Sequence, residues 1–334
     1  MPRRFLLLVL LASVTVGLGA GCGGSDDSAS DGDDPARVAY FAPLVNGYIQ
    51  AEFQGIQEGA EAEGGSAQIF DAKLDSNTQI TQIEDAAASG NFDAFVIEPV
   101  DSTGVVRAVN AANEAGIPVI ALFTPIGPDL LKFEPQVEGI VSVIGQPINE
   151  NGALLGDLTV EACEGKDPCE VALLPGLLQL PDEKLRLDAL NAVLAEHPSI
   201  KVVATQQADY LAEKGLSVTQ NILQANPGLD VVTTLGDQMT RGAEIAVKNA
   251  GKEGEIALIG NGGGQFAITA IREGRWLGAP VAVPHTYGIR TGEIAVQAAR
   301  GEDVPESVVT SDLSPIGPVA KQDNVGDFQG EYAD

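Results

Sequence analysis

Apolar residues fall along this chain in short dense runs, separated by stretches in which they recur every three or four positions. The runs VAYFAP (38–43), AQIFDA (67–72), AFVIEP (94–99) and PVIALF (118–123) form a first set. EVALLP (170–175), KVVAT (201–205), VVTTL (231–235), EIALIG (255–260) and GAPVAV (278–283) form a second. Runs that are apolar at nearly every position, not at alternate ones, predict strands buried on both faces and therefore parallel sheets. Between them Ile49, Phe53, Ile56 and Ala60 share one helical face, as do Ile80, Ile83 and Ala87, and then Leu187, Leu190 and Leu194. Strand–helix alternation of this kind predicts a doubly wound α/β fold. The units number about ten, too many for one small sheet, and the pattern breaks near residues 146–152. Two Rossmann-like lobes are expected, with a closed (β/α)8 barrel as the alternative.

In open α/β sheets ligands bind beyond the carboxyl ends of the strands. Those ends fall at 44–48, 98–103, 123–125, 175–180, 206–210, 236–237 and 261–265. They carry aromatic, acidic and amide groups, without a Ser-His-Asp or paired-carboxylate spacing. The run GNGGGQ (260–265) sits between a strand and a helix, but Gln265 stands where a dinucleotide fingerprint needs glycine. It reads as a tight turn, or as backbone that passes close to something in the cleft. Asp237, in LGDQMTRGA, reads as the cap of the following helix. Tyr48 and Tyr210 both fall at strand-to-helix junctions beside polar groups, where flat rings suit the C–H faces of sugars.

The remaining hydrophobic stretch has another character. Arg3 and Arg4 precede an apolar segment from Phe5 to Leu18, about 21 Å long as a helix and too short to span a bilayer, which predicts an export leader over 1–21. GGSDDSASDGDDP (23–35) has, before its closing Pro35, no apolar side chain larger than alanine, and predicts a solvated tether. Cys163 and Cys169, close together in an exported chain, predict a disulfide worth about 2.4 kcal/mol of chain entropy; a redox role would want CxxC spacing.

Charge then removes whole classes of function. Lys and Arg number 19 against 47 Asp and Glu, a net charge of −28. Such a polyanion repels nucleic acid and anionic lipid alike. Losing Arg3 and Arg4 with the leader takes it to −30 (−28 − 2), so any attachment to a membrane has to come from acyl chains. With two histidines, His197 and His285, and no ligand-spaced partners, neither a metal nor a cofactor is expected.

Several of these segments together resemble a known family, the ribose-type (type I) periplasmic substrate-binding proteins of ABC importers. VAYFAPLVNGYIQ, FVIEPVDSTGVVRAVNAANEAGIPVIAL, ADYLAEKGLSVTQNILQANPGLD, GDQMTRGAEIAVKNAGKEGEIALIG and PHTYGIRTGEIAVQAARGE carry the likeness over residues 37–319. LGAGC (18–22) likewise resembles a bacterial lipobox with Cys22 as the acylated residue, although Gly19 replaces the usual aliphatic residue. The resemblance implies two lobes, 37–145 with 284–313 and 146–283 with 314–334. They would be joined by three crossings near 144–147, 282–284 and 313–315, with hinge residues Gln146, Pro284 and Ser314.

It also implies binding positions. Asn46 matches an asparagine that bonds sugar hydroxyls, Tyr48 and Tyr210 stacking aromatics, and Arg186 the arginine of the second lobe. Glu98 falls where asparagine is frequent, Asp237 beside a cleft position, and Asn261 at the cleft end of its strand. Phe123 and Thr124 replace an Asp-Arg pair, Gly236 an asparagine, Gly262 an aspartate and Ala282 a glutamine, which implies a ligand other than ribose, one less hydroxylated, or one bulky enough to use the glycine space. Replacing Arg186 by alanine is expected to weaken binding with little change in melting temperature. The function implied is that of a monomeric, lipid-anchored, exported binder of a carbohydrate or polyol, which passes its ligand to an ABC permease and performs no chemistry on it. The alternatives are a sensory receptor of the same fold, or a surface-anchored carbohydrate-active enzyme using Glu98 and Asp237.

Overall fold

Every one of the nine dense apolar runs is a strand in the computed structural model, which describes residues 35–333. The leader, Cys22 and residues 23–34 of the tether lie outside the described residues. The chain first lays down β1 (Arg37–Ala42), α1 (Gly47–Ala62), β2 (Ser66–Asp71), α2 (Ser76–Ser89), β3 (Ala94–Ile97), α3 (Val106–Glu114), β4 (Val119–Phe123) and β5 (Ile140–Gly145). It then builds α4 (Ile148–Ala162), β6 (Cys169–Leu174), α5 (Pro181–Ala195), β7 (Ile200–Thr205), α6 (Ala212–Ala225) and β8 (Val231–Thr234). After these come α7 (Asp237–Asn249), β9 (Ala257–Ile259), α8 (Gln265–Arg272) and β10 (Gly278–Pro280). Last are α9 (Pro284–Ala299), β11 (Ser307–Val309), a 3-10 turn (Thr310–Leu313) and β12 (Val319–Lys321).

These strands form two open six-stranded sheets, not a barrel. Their orders are β2-β1-β3-β4-β5-β11 and β7-β6-β8-β9-β10-β12, the same winding used twice. All named pairings are parallel except β12, which runs antiparallel to β10. The central strands explain the dense runs: all four residues of β3 are fully buried. The edge strand β7 is as apolar in sequence, yet Val202 is 40% exposed, because an edge has one neighbour and a thinner cover. The chain passes between the sheets three times, after β5, after β10 and after the 3-10 turn. Gln146, Pro284 and Ser314 sit on those three passages.

α9 follows the second passage and returns to the first sheet, where it packs on α1 with almost no side chains between. A Cβ on Gly59 would lie 2.0 Å from Ile289 O, and one on Gly292 would lie 2.2 Å from Ile56 O. Neither neighbour can give way, since both are helix backbone. Gly292→Ala is therefore expected to cost about 1–3 kcal/mol through overpacking, read as a lower urea midpoint at unchanged slope. In the second lobe Cys163 and Cys169 are disulfide-bonded with Cα atoms 5.6 Å apart, fastening the end of α4 to the start of β6. Among the described residues no helix is long and apolar enough to cross a membrane.

Candidate functional site

All seven strand ends singled out above open onto one cavity of about 550 Å³. Asn46, Tyr48, Glu98, Phe123 and Thr124 line it from the first sheet, and Arg186, Tyr210 and Asn261 from the second. Parallel strands in each sheet end on the same side, and the two sheets present those ends to each other. A larger cavity, of about 780 Å³, lies at the opposite end of the second sheet. It is lined largely by strand beginnings, and each of its three cations already has a carboxylate partner: Lys321 pairs with Glu161, Arg275 with Glu244 and Lys166 with Asp230.

On the first-sheet side α1 starts immediately after β1. Asn46 Oδ1 accepts from Ile49 N at 3.0 Å and caps the helix, so its amide group is what Asn46 can offer the cavity. One turn on, Glu52 is fully buried among the apolar residues of α1. The Tyr40 hydroxyl hydrogen-bonds Glu52 Oε2 and lies 3.0 Å from Glu98 Oε2. A phenol has one proton to give, so it cannot donate to two carboxylates, and one of the acids must carry a proton. Burial pushes Glu52 up to about 7. Burial, with the charge of Glu52 behind it, raises Glu98 well above the usual carboxylate range. The Tyr48 and Tyr287 hydroxyls lie 2.7 Å apart alongside, both held protonated by burial.

On the second-sheet side Arg186, one helical turn beyond two acids, is 6% exposed. Its Nη2 donates to Asp182 Oδ2 at 2.5 Å and its Nη1 to Glu183 Oε2 at 3.0 Å. Glu183 also accepts from Tyr210 OH at 2.5 Å and from Gly176 N. Arg186 Nε is buried with no hydrogen-bond partner among the described residues. This network corrects one expectation: losing the guanidinium would strand two buried carboxylates, so Arg186→Ala cannot leave the fold untouched.

Tyr210 explains one of the missing polar positions. Its φ is +57°, and its ring lies between two glycines: a Cβ on Gly176 would fall 2.2 Å from Tyr210 Cε2, and one on Gly236 2.6 Å from Tyr210 Cδ1. The asparagine that the resemblance implies at 236 has no room because the ring fills that volume. Among the described residues five non-glycines have positive φ, and four of them, Leu74, Phe123, Asp209 and Tyr210, line the cavity. Left-handed backbone costs roughly 1–2 kcal/mol per residue, so strain is concentrated where a ligand would sit.

Asp237 does not line the cavity. It is the first residue of α7, and Gly236 is the capping position. Its fully buried carboxylate instead accepts from Gly264 N at 2.9 Å and from Tyr332 OH at 3.2 Å. It has different partners from Glu98, and the two do not form a carboxylate pair. Asn261 bonds Asn151 at 3.1 and 3.2 Å, and Asn151 bonds Gln146 at 3.0 Å, which ties the first passage to the cavity wall. The histidines are not assembled with other ligands, and His285 pairs with Glu58 at 3.0 Å. Among the described residues no group of three or more His, Cys, Asp or Glu could hold a metal.

Sequence reading missed Glu52, Asp182, Glu183, Asn151 and Tyr332. Three of these were visible: Glu52 interrupts the apolar face of α1, and Asp182 and Glu183 stand four and three residues before Arg186, the spacing of helical ion pairs.

Two lobes of the same strand order, three passages between them and a cavity at their facing strand ends define a two-lobed solute-binding protein. The chain belongs to the periplasmic binding protein family, whose domain matches residues 40–303. It is 30% identical over 266 residues to a ribose import binding protein of Bacillus subtilis (strain 168), covering 79% of this chain and 82% of that one. Over 321 residues it is 25% identical to a xylitol-binding protein of Mycolicibacterium smegmatis, covering 95% of this chain and 85% of that one. An ABC transporter periplasmic solute binding protein from Actinobacillus succinogenes 130z, solved with bound D-allose, matches with a TM-score of 0.77 at 25% identity, over 88% of this chain and 100% of that one. The folded domain is accordingly extracytoplasmic, and its relatives are binding proteins by name.

Proposed function

We propose that this protein binds a sugar or polyol between its lobes and delivers it unchanged to an ABC permease. The convergence of seven strand ends from two sheets on one cavity carries the reading. The ligands for which its relatives are named or with which they were solved, ribose, xylitol and D-allose, support the chemical class. In this scheme Asn46, Glu98 and Thr124 meet hydroxyls from one lobe and Arg186 and Asn261 from the other, with Tyr48, Phe123 and Tyr210 as apolar walls. With Tyr40 donating to Glu52, a proton-bearing Glu98 gives its own proton to the Tyr40 oxygen and leaves Oε1 to accept from a ligand hydroxyl. The exchange thus keeps the acceptor of the family's frequent asparagine and gives up its donor.

Closure follows from placing these contacts on both sides. Ligand held by one lobe gains the second lobe's contacts only when the lobes meet, so binding shifts the population toward the closed form. Gln146, Pro284 and Ser314 are the proposed hinges and 37–145 with 284–313, against 146–283 with 314–334, the proposed lobes. Cys22 is the proposed acylation site and residues 23–35 the tether, with the protein acting as a monomer.

The test is a thermal-shift and calorimetry screen of pentoses, hexoses, polyols and inositols on the exported chain. At least one should raise the melting midpoint, since only the folded state binds, and should be recovered chemically unaltered. A panel in which nothing binds, or a ligand recovered cleaved, overturns the reading.

A further inference from the structure

Residues after β12 do not simply trail away from the second lobe. Arg272 Nε donates to Gly326 O at 3.0 Å and Arg272 Nη2 to Phe328 O at 2.5 Å, fixing the segment against α8. Gly330 then lies against the glycine-rich turn, where a Cβ would come within 2.4 Å of Gly264 C. Gln265 N donates to Tyr332 O at 2.9 Å. The backbone that the GNGGGQ run passes closely is thus the chain's own.

From there the segment reaches the other lobe. Glu331 accepts from Thr286 N at 3.0 Å, at the start of α9. The Tyr332 ring meets Tyr48 edge-on at 5.1 Å, while its hydroxyl lies 3.2 Å from Asp237 Oδ2. Tyr332 and Ala333 line the ligand cavity, and Tyr332 is 5% exposed. At Gly262 a Cβ would fall 2.1 Å from Tyr332 OH, and φ there is +136°. No side chain can stand at 262 while Tyr332 is in place.

Resting on the sugar-or-polyol reading above, we propose that Tyr332 is a ligand-contacting, specificity-determining residue. It occupies the volume an aspartate at 262 would fill and puts a phenol ring where a carboxylate would receive hydroxyls. A ligand hydroxyl pointing at 262 would meet a ring and a neutral hydroxyl instead of two anionic acceptors. The phenol oxygen, which already donates to Asp237, accepts fewer hydrogen bonds than a carboxylate, so a buried hydroxyl there is paired less well and the ligand carrying it is disfavoured. The chain therefore favours sugars or polyols that present a C–H face, or lack a hydroxyl, on that side. Because Tyr332 touches Tyr48 across the cleft, this contact is complete only with the lobes together.

Two measurements test the inference. The first needs no ligand: melting midpoints of Gly262→Ala, Tyr332→Ala and the double variant. If Tyr332 fills this volume, the drop caused by Gly262→Ala should shrink by at least half in the Tyr332→Ala background, the remainder being the backbone penalty at 262. Strictly additive drops would show that Tyr332 lies elsewhere and would overturn the proposal. The second repeats the sugar and polyol panel on Tyr332→Ala and Tyr332→Phe. Tyr332→Ala should lose at least about tenfold for the best wild-type ligand and change the ranking of the panel, with Tyr332→Phe between. Unchanged affinity and ranking would overturn the specificity role while leaving the general reading intact. A wild-type protein that binds nothing would instead strike the general reading, and the ligand role with it.

Discussion

Replacing Arg186 by alanine is expected to weaken ligand binding by at least about tenfold and to destabilise the ligand-free protein by about 3–5 kcal/mol. The second effect is the larger and comes from what is left behind. Asp182 and Glu183 are 5% and 0% exposed and share the guanidinium between them. Without it both carboxylates are buried without a cation, which raises their affinity for protons in the folded state above that in the unfolded chain. A folded state that holds extra protons is favoured at low pH. The deficit against the wild type should therefore shrink as pH falls toward about 4 and be greatest at neutral pH. Calorimetric titration and urea midpoints at the two pH values check both parts; unaltered binding would remove Arg186 from the site.

Glu52→Gln should act in the opposite direction on stability. The folded-state value for Glu52 is pushed up to about 7 from 4.5, chiefly by burial. Between those values the folded protein keeps a proton that the unfolded chain has released, so stability falls as pH rises from 4.5 to about 7 and is level above. Glutamine has no proton to lose and can still accept from Tyr40. The variant should gain up to about 3 kcal/mol at pH 8, change little near pH 5, and flatten the slope between; what slope remains belongs to Glu98. Thermal denaturation across that range decides it. An equal loss at both ends would mean that the variant reports packing alone.

Nine of the twelve strands were legible because strands buried on both faces must be apolar throughout, a signal that survives without neighbours; β5, IVSVIG, carries the same signal and was overlooked. β11 and β12, of three residues each, carry no such signal; they are strands only because an edge waits for them. Likewise the cavity wall was readable at positions just past strand ends, where the fold itself dictates location. The reverse holds for Gly236 and Gly262. A glycine in a sequence says that a side chain is missing, and by itself suggests an emptied site. Whether the space is empty depends on residues far away, Tyr210 in one case and Tyr332 in the other. Asp237 failed similarly: local spacing suggested a cap, while its partners, Gly264 and Tyr332, come from distant parts of the chain.

The interleaved order of strands has a bearing on how such a chain folds. Each sheet obtains its sixth member only from residues beyond 306, after the partner lobe's other strands have already been made. While translation is under way β5 and β10 therefore remain raw edges, and α1 waits for α9 to cover it. Neither half can finish early, whereas independent domains would fold one after another as they emerge. The two lobes are therefore expected to complete together, as one cooperative unit.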